Sequence, residues 1–335
     1  MNIIVPMAGM GKRMRPHTLT VPKPLVPIAG KPIVQRLVED IAKVCGGDID
    51  TIGFVIGKHF GEEVEAHLLT VAKSVGGVGK IFYQEEALGT AHAIYCAKQA
   101  LVGNVIVAFA DTLFKADFQL DVEQDGIIWV QKVEDPSAFG VVQLGEDNVI
   151  REFIEKPKTF VSDLAIIGIY YFKDGEHLRK EIEHIIDNNL KDSGEYQLTR
   201  VLEAMKRQGV KFYPGEVEEW LDCGNKNATV NTNKRYLEYI RDDKLVDDSV
   251  RLINSIVIPP CYIGKDVKIT NSVIGPYVSI GKKTDIADSR IDNTIIQNES
   301  VIRKANITGS MFGSHSVYDG KARNLSVGDY NRIEE

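Results

Sequence analysis

Arg13 and Lys23 lie in a stretch, residues 1–38, that also holds Lys12, Arg15, Lys31 and Arg36 and contains no Asp or Glu, although the whole chain carries a formal net charge of -7. Arg offers a planar fork that pairs two oxygens at once, and Lys a compact charge, so the clustering suits an anionic ligand with several oxygens. The cations follow the apolar segment Ile3-Ile4-Val5 in a glycine-punctuated run, Ala8-Gly9-Met10-Gly11-Lys12-Arg13. Gly9 and Gly11 let backbone N–H groups approach phosphate oxygens with no Cβ in the way. The spacing is neither the dinucleotide G-x-G-x-x-G nor the P-loop G-x-x-x-x-G-K-[ST]. Just downstream, Pro22-Lys23-Pro24 presents one lysine on a stiff, extended segment. Strand, glycine loop and cations together predict a polyphosphate cradle.

The elements that would position these groups alternate. Ile33 to Val44 has helical periodicity, Ile52 to Ile56 is a short apolar strand, and Glu62 to Ala72 is a second amphipathic helix. Lys80 to Gln84 reads as a strand, Thr90 to Leu101 as a helix, and Val105 to Ala110 as a buried strand that ends at Asp111. Such alternation predicts an α/β fold with a mixed, mostly parallel sheet, in which ligands bind beyond the carboxyl ends of the strands. The loop at 8–15, Gln84 and Asp111 all fall at such ends and converge on one edge.

A-G-x-G-x-R-M, carried by Ala8, Gly9, Gly11, Arg13 and Met14, is followed by Pro16, Thr18 and Pro22-Lys23-Pro24-Leu25. In order come Gln84 with Leu88-Gly89-Thr90-Ala91, Ala110-Asp111, Phe139-Gly140-Val141, Glu155-Lys156-Pro157 and Trp220-Leu221-Asp222-Cys223-Gly224. This succession resembles the sugar-phosphate nucleotidyltransferases, with the thymidylyltransferases of glucose 1-phosphate and the uridylyltransferases nearest in pattern. Pro6-Met7, Ala110 and Cys223-Gly224-Asn225 depart from the usual residues, and uracil and thymine both stay open as the base.

The resemblance implies a Rossmann-like domain that joins a nucleoside triphosphate, dTTP or UTP favoured, to a sugar 1-phosphate, glucose 1-phosphate favoured, and releases pyrophosphate. Arg13 would hold the leaving pyrophosphate and Lys23 the α-phosphate. Ala8, Gly9 and Gln84 would meet the base, Gly11 would add a backbone contact, and Gly89 would leave the base room. Gly140 would admit the hexose, Glu155 would bind its hydroxyls and Lys156 its phosphate. Magnesium is the expected cofactor, with Asp111 at a strand end and Asp222 in a Trp-Leu-Asp-Cys-Gly turn as its carboxylate ligands. The alternative use of Asp222 is as N-cap of a helix starting near Lys226.

Near residue 245 the pattern changes. Aliphatics recur at intervals of six with slips to five, as in Ile274, Ile280 and Ile286 and in Ile295, Val301 and Ile307, with small or polar residues between them. That period predicts a left-handed parallel β-helix, whose coils bury their apolar corners only by stacking. The expected division is 1–241 for the nucleotidyltransferase domain and 242–335 for the β-helix. Histidine serves acetyltransferases of similar architecture as a general base, so His315 opens a second reading, a bifunctional nucleotidyl and acetyl transferase. A third is a non-catalytic sugar-nucleotide-binding homologue, against which the joint presence of Arg13, Lys23, Asp111 and Asp222 argues.

Composition narrows the remaining classes. The acidic balance disfavours a nucleic-acid partner, and no apolar run approaches the ~20 residues of a membrane span. Neither a signal-peptide core nor a cleavage site is visible, which points to a cytoplasmic protein. Cys45, Cys96, Cys223 and Cys261 are too scattered for a zinc site or a disulfide framework. The β-helix, with its apolar corners, leads us to expect a homo-oligomer.

Overall fold

A computed structural model describes residues 1–116, 119–145 and 147–321. The chain divides into two compact units, Met1–Thr229 and the residues from Val230 onward. In chain order the first unit runs β1 (Asn2–Pro6), the short hairpin β2 (Pro27–Ile28) and β3 (Lys31–Pro32), α1 (Ile33–Val44), β4 (Thr51–Ile56), α2 (Glu62–Ser74), β5 (Val78–Tyr83), α3 (Thr90–Cys96), β6 (Val105–Ala108) and β7 (Thr112–Lys115). It continues through β8 (Gly126–Lys132), β9 (Gly140–Leu144), β10 (Ile150–Glu155), β11 (Leu164–Phe172), α4 (Gly175–Asp187), α5 (Leu198–Arg207), β12 (Phe212–Glu216) and β13 (Glu219–Asp222). A sixth helix, α6 (Lys226–Tyr239), begins here.

Ile3, Ile4 and Val5 are wholly buried, as a strand covered on both faces must be. β1 is central: it pairs in parallel with β4 on one side and β6 on the other, and β4 carries β5, also parallel. The sheet turns mixed beyond β6, where β11 runs antiparallel and in turn pairs with β8 and β9. Because β1, β4, β5 and β6 share a direction, their carboxyl ends share one edge.

Several expected boundaries move, two of them for a visible backbone reason. The helix predicted over Thr90 to Leu101 stops at Cys96, and Lys98–Ala100 is a 3-10 turn. The change occurs where Ala97 N–H donates to the Ile94 carbonyl, three residues back, at 3.0 Å, the tightening common at helix ends. The strand at Val105 closes at Ala108, and Phe109 N–H donates to Gly168 instead.

The second unit is a stack of two- and three-residue parallel strands on three faces. One face is built from Arg251–Ile253, Lys268–Thr270, Asp285–Ala287, Val301–Arg303 and Val317–Asp319; the other two carry four strands each. This is the architecture of the left-handed parallel β-helix. Ile269, Ile286 and Ile302 superpose and are fully buried. Each corner turns through a left-handed residue, Asn254, Asn271, Asp288 and Lys304 at one corner and Asp266, Lys283, Glu299 and His315 at another, where Asn and Asp are tolerated best. Asn254 donates to Asn271 at 2.9 Å and Asn271 to Asp288 at 3.1 Å, each one coil of 17 residues on.

The division between the two compact units falls inside α6, between Thr229 and Val230. Residues of α6 beyond Thr229 pack with the second unit: Asn233 accepts from Ser279 Oγ at 2.7 Å, and the Lys234 ammonium lies 5.1 Å from the Tyr277 ring centre. Among the described residues no helix is long and apolar enough to cross a membrane. None of the four cysteines, all among the described residues, forms a disulfide.

Ile286→Ala removes a side chain stacked between two coils and should destabilise the protein by about 2–5 kcal/mol. The exposed Phe160→Ser should stay within about 0.5 kcal/mol of wild type. Urea unfolding of the full chain measures both.

Candidate functional site

The glycine loop leaves β1 at the shared edge. Gly11 has φ of +56°, and a Cβ there would meet the Lys23 Cβ at 2.9 Å, so glycine is what lets the loop lie on the lysine. Thr18 Oγ1 donates to the Gly11 carbonyl at 2.8 Å and ties the loop down. Gly9 has open space where its Cβ would be. Lys23 sits in a 3-10 turn, is buried, and puts its Nζ 3.1 Å from Asp111 Oδ2. A buried ammonium needs such a partner. Two of the clustered cations are used elsewhere: Arg36 donates to the Ile28 and Ala29 carbonyls, and Lys31 pairs with Glu39 at 2.8 Å.

Asp222 is the last residue of β13, a strand end rather than part of a free turn. β13 runs antiparallel to β7 with Asp222 opposite Thr112, and Cys223 N–H donates to the Asp111 carbonyl at 3.0 Å. That register brings the two aspartates together. Burial pushes the Asp222 carboxyl above its ordinary pKa and Asp111 adds to this, while the Gly224 N–H, Lys23 and Arg13 oppose it. The helix-cap alternative is excluded by the side chain that does the capping: Asn225 Oδ1 accepts from Ala228 N–H at 3.0 Å at the start of α6, whereas Asp222 accepts from Gly224 at 2.7 Å.

Two cavities meet here. The first, about 410 Å³, is lined by Ala8, Gly9, Gly11, Arg13, Lys23, Gln84, Gly89, Asp111 and Glu195, among others. The second, about 440 Å³, is lined by Gly140, Glu155, Thr199, Gln197, Trp220, Tyr170 and Asp222, among others. Arg13, Thr90, Phe109 and Asp111 line both. Gly89 has a sharper constraint than room for a ligand: at φ of +119° a Cβ would strike the Tyr196 backbone oxygen at 2.5 Å. Tyr196 approaches because its N–H donates to Leu88 and its carbonyl accepts from Ala91.

In the second cavity Glu155 accepts from Thr199 at 3.4 Å, and Trp220 donates to Thr112 at 2.6 Å with its ring edge-on to Phe139. Burial, followed by Glu155 and Asp111, pushes the Tyr170 hydroxyl well above its ordinary pKa, so it stays a neutral donor. Lys156 lines neither cavity; it is largely exposed at the rim, 3.6 Å from Glu155 Oε1. His17 also lines neither, and burial with Lys226 holds its pKa below the ordinary value.

Sequence reasoning missed His92, Glu195, Gln197, Thr199 and Tyr170. His92 Nδ1 lies 3.1 Å from Gln84 Nε2. Glu195 to Thr199 form an unremarkable polar segment until the Tyr196 pairing draws them to the edge. Thr90, within Leu88-Gly89-Thr90-Ala91, accepts at Oγ1 from Leu198 N–H at 2.9 Å, at the first residue of α5. Among the described residues no group of three or more His, Cys, Asp or Glu side chains is placed to hold a metal ion by itself.

Comparison with known proteins adds the family. The Streptomyces antibioticus glucose-1-phosphate thymidylyltransferase is 30% identical over all of this chain and 99% of its own length. The Methanococcus vannielii bifunctional protein GlmU is 30% identical over 77% of this chain, and the alignment covers 61% of that relative, so the chain spans about three-fifths of the first relatives it matches. A Bacillus anthracis protein assigned as a glucose-1-phosphate thymidylyltransferase, crystallised with sucrose, superposes with a TM-score of 0.57 at 26% identity, covering 69% of this chain and 93% of that one. The family model described as nucleotidyl transferase matches residues 2–239. With the loop, the carboxylate pair and the paired cavities on one sheet edge, and with that match over most of its length, the chain belongs to the nucleotidyl transferase family.

Proposed function

We propose that the protein transfers a nucleotidyl group from UTP or dTTP to a sugar 1-phosphate, glucose 1-phosphate favoured, giving an NDP-sugar and pyrophosphate. The observation that carries this reading is the pair of cavities of similar size that share Arg13 and Asp111 at their junction. One cavity suits a nucleotide and the other a hexose, with the reacting phosphates between them.

In the reaction a sugar phosphate oxygen attacks the α-phosphorus, a new P–O bond forms, and the α–β P–O bond breaks with its electron pair leaving on pyrophosphate. The attacking oxygen is already anionic, so no base has to remove a proton. The chain's tasks are alignment and charge neutralisation. Arg13 holds the departing pyrophosphate, with Gly9 and Gly11 offering backbone N–H groups. Lys23, fixed by its turn and by Asp111, meets the α-phosphate. Ala8, Gly9 and Gln84 face the base, and Gly89 lets the Tyr196 backbone close up against the cavity wall beside it. Gly140, Glu155 and the rim lysine Lys156 receive the sugar and its phosphate.

The carboxylates Asp111 and Asp222 fit a hard divalent cation that completes its shell with substrate phosphate oxygens and water, as Mg²⁺ does. Bound there, Mg²⁺ would neutralise two anions that otherwise repel each other. His315 occupies a left-handed corner of the β-helix in line with Asp266, Lys283 and Glu299. We therefore give it a structural role and keep the chemistry in the first unit. The exposed Leu252, Ile253, Ile256 and Ile258 support self-association of the β-helix, which light scattering on the full chain checks: a monomer would refute it.

The deciding experiment measures pyrophosphate release across a panel of nucleoside triphosphates and sugar 1-phosphates, with and without Mg²⁺; no turnover of any pair would refute the reading. Lys23→Ala should lower turnover about a hundredfold, the ~3 kcal/mol of a lost transition-state contact. Asp222→Asn should keep the melting temperature while losing most turnover and raising the Mg²⁺ requirement. Asn225→Ala, which removes the cap of α6, should cost about 1 kcal/mol of stability, read as a fall in melting temperature.

A further inference from the structure

Gln84 follows β5 at the wall of the first cavity, and its amide is gripped from behind. Nε2 lies 3.4 Å from the Gly89 carbonyl oxygen and 3.1 Å from His92 Nδ1. A backbone carbonyl only accepts, so the NH₂ end must face Gly89. The same NH₂ then meets the imidazole, whose Nδ1 must be the unprotonated nitrogen, with the ring proton on Nε2. Burial lowers the His92 pKa, against a weaker upward pull from Glu86, which keeps the ring neutral near pH 7. Among the described residues Gln84 Oε1 has no hydrogen-bond partner, and Gln84 lines the cavity whereas His92 does not.

We infer that His92 is a positioning residue for base choice: by accepting from Gln84 Nε2 it holds Oε1 as the acceptor presented to the base. An acceptor there rewards a pyrimidine whose ring nitrogen carries a proton, as N3 of uracil and thymine does. It penalises cytosine, whose N3 is itself an acceptor and would face Oε1 lone pair to lone pair. Without His92 only the longer contact with the Gly89 carbonyl, 3.4 Å, holds the amide, its hold on that orientation weakens, and discrimination falls. The inference deepens the nucleotidyl-transfer reading and rests on the first cavity taking the base.

Asn and Phe test it, because Asn Oδ1 stands close to where Nδ1 stood while Phe keeps the ring and loses the acceptor. Calorimetric binding of UTP, dTTP and CTP to the full-length proteins reads base choice independently of turnover. Wild type should bind UTP and dTTP in preference to CTP. His92→Phe should reduce that ratio about tenfold, the scale of one mismatched polar contact, and in assays of active protein should raise the KM for UTP with little change in kcat. His92→Asn should keep the ratio within about threefold. His92→Leu carries the same expectation as Phe should the Phe protein fail to fold.

Wild type with no preference for UTP over CTP would overturn the inference. So would His92→Phe with an unchanged ratio, or Asn and Phe variants that fall equally. Wild type that discriminates in binding but turns over no triphosphate would instead sink the nucleotidyl-transfer reading and leave the role of His92 standing.

Discussion

Two carboxylates held side by side repel each other, and the first unit is arranged to hold them there. The β7–β13 register sets Asp222 beside Asp111, and the tie from Cys223 N–H to the Asp111 carbonyl closes the pair. Burial raises the pKa of Asp222, and the proximity of Asp111 adds to it. Lys23 supplies the compensation at 3.1 Å from Asp111, and Lys23 can be there because Gly11 has no Cβ to push it aside. The glycine loop, the proline-flanked lysine and a two-stranded ribbon far apart in sequence are thus parts of one electrostatic balance. A change to any of them is felt by the others.

The parts of this arrangement governed by local rules were visible in the chain alone. Ile3-Ile4-Val5 and Ile52 to Ile56 read as buried strands because parallel strands covered on both faces need continuous apolar residues. Helix α1 was readable from its periodicity over Ile33–Val44. The six-residue rhythm after residue 245 was readable because every coil repeats the same packing problem. The cavities also gather most of the residues named from motifs, with Lys156 at the rim.

Where reading failed, a distant partner decided. Nothing in Thr90 to Leu101 says that the helix must tighten at Ala97. Arg36 looked like one more ligand-binding cation, yet it spends its guanidinium on two backbone carbonyls of its own neighbourhood. Asp222 seemed to sit in a turn because its strand partner, β7, is recognisable only once folded. His92 carried no signal at all, since its importance lies in the side chain behind which it stands.

The pinch between Gly89 and Tyr196 has a mechanical consequence. Leu88 and Ala91 bond to opposite sides of the Tyr196 peptide, Thr90 receives the first N–H of α5, and the missing Cβ lets the two backbones touch. Four short attachments within a few residues make a riveted seam between 88–91 and 195–199: the first segment lines the first cavity through Gly89 and both cavities through Thr90, and the second runs from Glu195 in the first cavity to Gln197 and Thr199 in the second. A seam of this kind transmits displacement instead of absorbing it. Because the segment from Glu195 to Thr199 contributes to both walls, shifting it in one chamber requires breaking these attachments or carrying its part of the other wall along.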